Sequence, residues 1–239
     1  MEIMNKITLI ITLILTGAVV MTFSNLSAAS NTASPSSNSD RIKLSPQYQN
    51  GKFKGDKEAM TMTVKDYIAS TWRFLFEKNN QTPKGPLPTR PVDLSYFNTK
   101  TKDQLNSTWL GHSSLMINMN GYKILTDPVF EKKVSMVGPT RFNGELPLNP
   151  EKLADIDVVI ISHDHYDHLN KYSIMLLIPV TKYFVVPLAI GERIAAWGVP
   201  ENKIITLDWW ENFLFDDNLF ITATPAQHLS GRGMFDRNE

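Results

Sequence analysis

Directly after the run Val158-Val159-Ile160-Ile161 the sequence reads Ser162-His163-Asp164-His165-Tyr166-Asp167-His168. Four consecutive β-branched residues are the composition of a strand buried on both faces. A loop leaving the carboxyl end of such a strand is where α/β sheets place their ligands. Three of the chain's five histidines sit within six residues there. Neutral imidazole is the commonest metal ligand among side chains. His163 and His165 can face one metal from a sharp turn, and Asp167 and His168 can face a second from the next bend. The bland alternative is a polar surface turn; ligand type, spacing and strand-end position together favour metal. The chain has no cysteine. That excludes disulfides, thiolate ligands and a cysteine nucleophile, so a metal must be held by nitrogen and oxygen, a set that suits zinc and some neighbours.

The surrounding pattern predicts an α/β sheet domain beginning near Asn106. Residues 107–110 and 115–119 are expected as strands, and Asn120-Gly121 is a strong hairpin signal into a strand over 122–126. Residues 182–186, 203–206 and 219–223 are further short strands. Residues 189–197 are predicted helical, with Gly198 ending the helix. A long loop over 130–150 carries Gly138, Pro139, Gly144 and Pro147.

The chain before this domain divides by composition. Lys6, an uncharged run from Ile7 to Phe23 and small residues at Ser27, Ala28 and Ala29 are the parts of a secretory signal. The alternative for 1–29 is an uncleaved anchor, since roughly 17 apolar residues is the lower limit for spanning a bilayer. Either reading places the folded domain outside the cytoplasm: periplasmic, cell-surface or membrane-associated. Residues 30–57, which open on a stretch rich in Ser and Asn, are expected as a flexible linker. Residues 58–105 are expected as an extension. In it Met60, Val64, Tyr67, Ile68, Trp72 and Leu75 mark one helical face packing outside the main domain, followed by Pro83, Pro86, Pro88 and Pro91. Trp72 is expected in core packing, with lipid contact as the alternative. Formal charge is zero, from 24 basic and 24 acidic residues, so no nucleic-acid partner is expected.

His163-x-His165-x-Asp167-His168 resembles the signature of the metallo-β-lactamase superfamily, whose fold is an αββα sandwich. Thr108-Trp109-Leu110-Gly111-His112-Ser113-Ser114, Ile124-Leu125-Thr126-Asp127-Pro128 and Gly138-Pro139-Thr140-Arg141-Phe142 resemble the N-acylphosphatidylethanolamine-hydrolysing phospholipase D group within it. So do Leu207-Asp208-Trp209-Trp210, Thr224-Pro225-Ala226-Gln227-His228, Ser230-Gly231-Arg232-Gly233 and Asp236-Arg237-Asn238.

The resemblance implies a zinc-dependent hydrolase that cleaves N-acylphosphatidylethanolamine-like lipids through metal-activated hydroxide. Its partners would be a phospholipid or other anionic ester and a membrane surface. His163, His165 and His228 would bind the first zinc; Asp167 and His168 would contribute to the second, with Asp167 also able to accept a proton from the water. Asp127 would support the metal loop, or be a strand-end aspartate in a turn with proline. His112 fits beside the site, either as a satisfied, partly buried histidine or in a catalytic role. Arg141 and Arg232 could steer an anionic head group, or be solvated loop arginines.

Relatives continue into a second half of the sandwich that supplies a bridging aspartate and a last histidine. The chain is therefore expected to be C-terminally truncated, holding the N-terminal half of the sandwich plus its extension. Two zincs are expected for the complete enzyme and at most one well-formed site here. Alternative readings are a hydrolase of another ester, lactone or phosphodiester, and a non-catalytic metal-binding remnant.

Overall fold

The computed structural model of the protein describes residues 8–10, 12–13, 19–20, 38–55, 63–77, 83–100, 103–134, 140–142 and 144–232. The expected signal or anchor lies almost wholly outside these residues, as do Gly138, Pro139, Gly233 and the Asp236–Asn238 motif. Among the described residues no helix is long and apolar enough to cross a membrane.

A six-stranded mixed sheet organises the domain. Its strands are β1 (Leu105–Gly111), β2 (Ser114–Met119), β3 (Tyr122–Thr126), β4 (Ile156–Ile160), β5 (Thr181–Pro187) and β6 (Ile204–Leu207), in spatial order β6-β5-β4-β3-β2-β1. The first three form an antiparallel meander, with Asn120-Gly121 at the β2–β3 turn and Asn120 at φ 54°. From β3 onward neighbours run parallel. A second, small sheet pairs β7 (Asn212–Asp216) antiparallel with β8 (Leu219–Thr222), and Thr8–Ile10 runs parallel along β8.

Successive strand residues point to opposite faces, and this sheet is covered on both. On one face Leu125, Val159 and Phe184 pack with Ile174 and Leu177 of α1 (Lys171–Leu177) and Ile190 and Ile194 of α2 (Ile190–Ala196). On the other, Ile124, Val158, Ile160 and Val185 pack against Leu219 and Ile221 of β8. All five residues of β4 are buried, as its composition predicts. The layers are helix, large sheet, small sheet, consistent with part of the expected αββα sandwich.

The expected flexible linker over 30–57 is corrected from Asn38 onward. Asn38–Leu44 is a helix, and a small hairpin pairs Tyr48–Gln49 with Lys52–Phe53. The reason is tertiary: Arg41 donates to Thr206 O at 3.0 Å and pairs with Glu211, while Thr206 Oγ1 donates to Asn38 Oδ1 at 3.0 Å. These contacts hold a segment whose hydrophobicity alone would not. The predicted helix of the extension is observed as Val64–Phe76, started by a capping box between Thr63 and Asp66. Its expected packing is corrected, because Ile68, Trp72 and Phe76 are 63%, 61% and 60% exposed. Trp72 stacks on Phe76 of its own helix instead of entering the core.

Candidate metal centre

Parallel strands β3 and β4 end side by side, and the centre is built on their carboxyl ends. Asp127, the residue after β3, donates its N–H to Ile160 O at 2.9 Å and so lies against the exit of β4. From Ile161 the chain turns away into the histidine loop. His168 and Leu169 donate backbone N–H groups to His165 O at 3.0 and 2.8 Å, which folds the loop into a tight bend. Leu169 is fully buried, and Asn170 caps α1 through Ser173 N at 2.9 Å. A strand before it and a capped helix behind it fix the loop at both ends.

Three imidazole nitrogens converge within it. His163 Nε2 lies 3.0 Å from His165 Nδ1, and His228 Nε2 lies 3.1 Å from the same atom. A ring nitrogen carries one proton or one lone pair, so a single proton cannot serve both contacts well. A metal satisfies all three lone pairs at once, and nitrogens on a tetrahedral zinc stand about 3.3 Å apart. The donor set therefore fits zinc, with a fourth position open. Burial first, and then the neighbouring His168, His228 and His165, push His163 down to about 3, so it is neutral and ready to ligate near pH 7. His228 is lowered for the same reason, burial leading.

A second cluster adjoins the first. His112, Asp167 and His168 bring one ligand atom each to within 4.8 Å of one another. The His163 and His168 rings are 4.0 Å apart, so the two clusters share a wall. His112 Nε2 lies 2.9 Å from Asp167 Oδ2. That hydrogen bond, more than any other contact, holds the Asp167 carboxyl well below the usual carboxylate range and raises His112.

Beneath both clusters sits Asp127, fully buried. Its Oδ1 accepts from Ser162 N at 2.7 Å; its Oδ2 accepts from Ser162 Oγ at 2.6 Å and from His168 Nδ1 at 2.8 Å. With its proton committed to Asp127, Ser162 Oγ can accept from His163 Nδ1 at 2.9 Å. One carboxylate thus fixes a tautomer in each cluster, leaving Nε2 of His163 and His168 bare for metal.

Residues 122–239 match the Beta-lactamase superfamily domain. This chain carries a metallo-β-lactamase superfamily domain. Over 194 residues it is 32% identical to an uncharacterized protein of Mycobacterium tuberculosis, covering 79% of this chain and 51% of that one. It is 30% identical over 196 residues to N-acyl-phosphatidylethanolamine-hydrolyzing phospholipase D 1 of Caenorhabditis elegans, covering 77% and 54%. The chain spans about half the length of these relatives. Among solved structures, the metallo hydrolase Igni18 of Ignicoccus hospitalis is 22% identical, covering 55% of this chain and 51% of that one at a TM-score of 0.38.

Within the metallo-β-lactamase domain the two arginines hold backbone. Arg141 donates from Nη1 to Leu110 O at 2.9 Å and from Nη2 to Val129 O at 2.7 Å, tying the end of β1 to the segment after Asp127. Arg232 donates to Asp164 O and Leu169 O, both at 2.8 Å, and lies over the Tyr166 ring. Arg141 thus braces the turn after β1, and Arg232 braces the histidine loop. Gly111 packs against this brace at φ 110°, and a Cβ there would stand 2.7 Å from Arg141 Nη1. Gly111→Ala is expected to lower stability by about 2 kcal/mol, read as a fall in thermal midpoint.

One feature escapes the sequence. Asp164, between the paired histidines, is buried and accepts from Ser230 Oγ at 2.7 Å and Gly231 N at 2.8 Å, which brings the segment bearing His228 to the loop. Its only sequence signal is a carboxylate at a position with no ligand role. His112, expected beside the site, has its ring in the second cluster.

The depressed His163 has a consequence for the metal-free protein. Its ordinary value is 6.5 and its folded value about 3, so between these the unfolded chain binds more protons. Stability is present in full above pH 6.5 and falls as pH drops toward 3. Thermal melts in chelator from pH 8 to pH 4 are expected to show a steady decline below pH 6.5, reduced in His163→Ala.

Proposed function

We propose that this metallo-β-lactamase domain is the metal-binding part of a zinc-dependent hydrolase acting on phosphodiesters of the N-acylphosphatidylethanolamine type. The observation that carries the hydrolase reading is the convergence of His163 Nε2, His165 Nδ1 and His228 Nε2 on one point beside a second donor cluster. The lipid reading is supported by relatives at 30% and 31% identity in Caenorhabditis elegans and Saccharomyces cerevisiae that bear that activity in their names. An exported or membrane-associated location is supported by the basic start and apolar run at the N-terminus.

Bound zinc would lower the pKa of a coordinated water toward neutrality and offset charge on the phosphoryl oxygens. The chain's own residues prepare that chemistry. His163 is kept neutral by burial, Asp167 is kept ionised by His112, and Asp127 orients His168 directly and His163 through Ser162. Hydrolysis would add hydroxide to phosphorus and return a proton to the departing ethanolamine oxygen, with Asp167 proposed to accept the proton released by water.

The test is release of N-acylethanolamine and phosphatidic acid from vesicles containing N-acylphosphatidylethanolamine, by zinc-loaded and chelator-stripped protein, followed by mass spectrometry. Zinc-dependent release supports the proposal. Turnover of a soluble diester or a lactone in its place would move the substrate class. Absence of both zinc binding and any turnover would reject the hydrolase reading itself.

A further inference from the structure

Asp164 stands between two residues of the first cluster, yet its side chain serves a different partner. Its neighbours His163 and His165 turn their rings together, centroids 4.6 Å apart. The Asp164 carboxyl is instead buried beside the segment that follows His228. Oδ1 accepts from Ser230 Oγ at 2.7 Å and from the Gly231 N–H at 2.8 Å. Oδ2 faces the Arg193 guanidinium of α2 at 3.8 Å. Arg232 then donates to the backbone oxygens of Asp164 and Leu169 and lies 3.9 Å from the centre of the Tyr166 ring. Ser230, Gly231 and Arg232 are thus all fastened to the histidine loop.

His228 has need of such a fastening. It is the exposed member of the first cluster, and residues 223–231 run without helix or strand. On one side this segment is held at Ala223, whose N–H donates to Glu211 O at 3.0 Å and whose oxygen accepts from the Trp210 N–H at 2.7 Å. On the other side it is held by Asp164. Between these anchors the chain brings His228 Nε2 to 3.1 Å from His165 Nδ1. An irregular span fixed at one end must give up conformational freedom each time it delivers a ligand; a span fixed at both ends has given it up on folding.

We propose that Asp164 is the positioning residue for His228: its carboxylate latches the segment after His228 to the histidine loop and so holds that imidazole at the first metal position. The latch makes one residue of the loop responsible for a ligand that arrives from a distant part of the chain. This inference rests on the metal-hydrolase reading above and deepens it by saying how the first cluster is assembled.

The competing role for Asp164 is to stabilise the fold alone. Zinc affinity of the first site, by competition with a chromogenic chelator, and a thermal melt in chelator are compared in wild type and variants. Asp164→Ala is expected to weaken zinc about 10- to 100-fold. Asp164→Asn keeps an acceptor oxygen for Ser230 and Gly231 and gives up only charge, so it should lose no more than about fivefold. Gly231→Ala attacks the latch from the other side, because a β-carbon is strained at its φ of 135°. It should weaken zinc as well, and it keeps the test open if Asp164→Ala does not fold. In a His228→Ala background, Asp164→Ala should add less than about twofold, since the imidazole it positions is gone. Wild-type zinc affinity in Asp164→Ala or Gly231→Ala would overturn the latch. So would equal losses in Asp164→Ala and Asp164→Asn, or the same loss with and without His228. Each of these results leaves zinc on the wild-type protein and the hydrolase reading standing, while no zinc on wild type would remove both.

Discussion

Replacing His165 by alanine is expected to weaken zinc binding at the first site by more than about 100-fold, beyond the 10- to 100-fold typical of losing a residue that merely orients a ligand. His165 has this leverage because its Nδ1 is the atom that both His163 Nε2 and His228 Nε2 approach, at 3.0 and 3.1 Å. Without it, two imidazoles remain on a metal that favours four ligands. The metal-free fold should change little, within about 1 kcal/mol, because the side chain lies in the loop and outside both apolar clusters. Competition with a chromogenic chelator, beside a thermal melt in chelator, separates the two effects. Unchanged zinc affinity in His165→Ala would sink the assignment of this cluster. If the proposed hydrolase activity is present, it should fall in parallel with zinc occupancy.

The parts of this centre legible in the sequence are those encoded locally. His163, His165, Asp167 and His168 lie within six residues after a β-branched run, and both the strand and the ligand spacing can be read from that short stretch. The Asn120-Gly121 turn carries its own conformational signal and is found where expected. The segment over 38–44 is the opposite case, since its order depends on Arg41 meeting Thr206 and Glu211 more than 160 residues away. Strand β7 carries little local signal: Phe213 and Phe215 alternate with Leu214, but five residues of mixed exposure between Asn212 and Asp216 give little periodicity. Helix α1 follows the same rule, being seven residues defined by the Asn170 cap and by burial of Ile174 and Leu177. The His112–Asp167 pair joins two motifs that are separately visible but whose meeting is set by sheet order. That order, β6-β5-β4-β3-β2-β1, cannot be derived from strand propensity.

Asp127→Asn is expected to cost about 2–4 kcal/mol of stability and to weaken both metal positions by 10- to 100-fold. The substitution is nearly isosteric, and asparagine tolerates the φ of 40° that Asp127 adopts, so backbone strain does not cause the loss. The cause is hydrogen-bond polarity. Oδ2 now accepts from two donors, Ser162 Oγ at 2.6 Å and His168 Nδ1 at 2.8 Å, while Oδ1 accepts from Ser162 N at 2.7 Å. The amide has one acceptor oxygen. If that oxygen faces the backbone N–H of Ser162, the amide N–H₂ confronts His168 Nδ1 and drives its proton to Nε2, where the metal should sit. Ser162 Oγ can then turn its own proton toward His163 Nδ1, and the same tautomer switch spreads to the first cluster. If the amide is flipped, His168 keeps its proton but the part-buried backbone N–H of Ser162 meets a donor. Both orientations fail, which distinguishes Asp127 from a carboxylate that only contributes charge. Nitrogen-detected NMR of the imidazoles is the direct check: wild type should show Nδ1–H for His163 and His168 in the metal-free protein, and the variant should show Nε2–H at one or both. Retention of both Nδ1–H tautomers together with wild-type zinc affinity would show that the ligands are oriented by packing, with no need of the buried carboxylate.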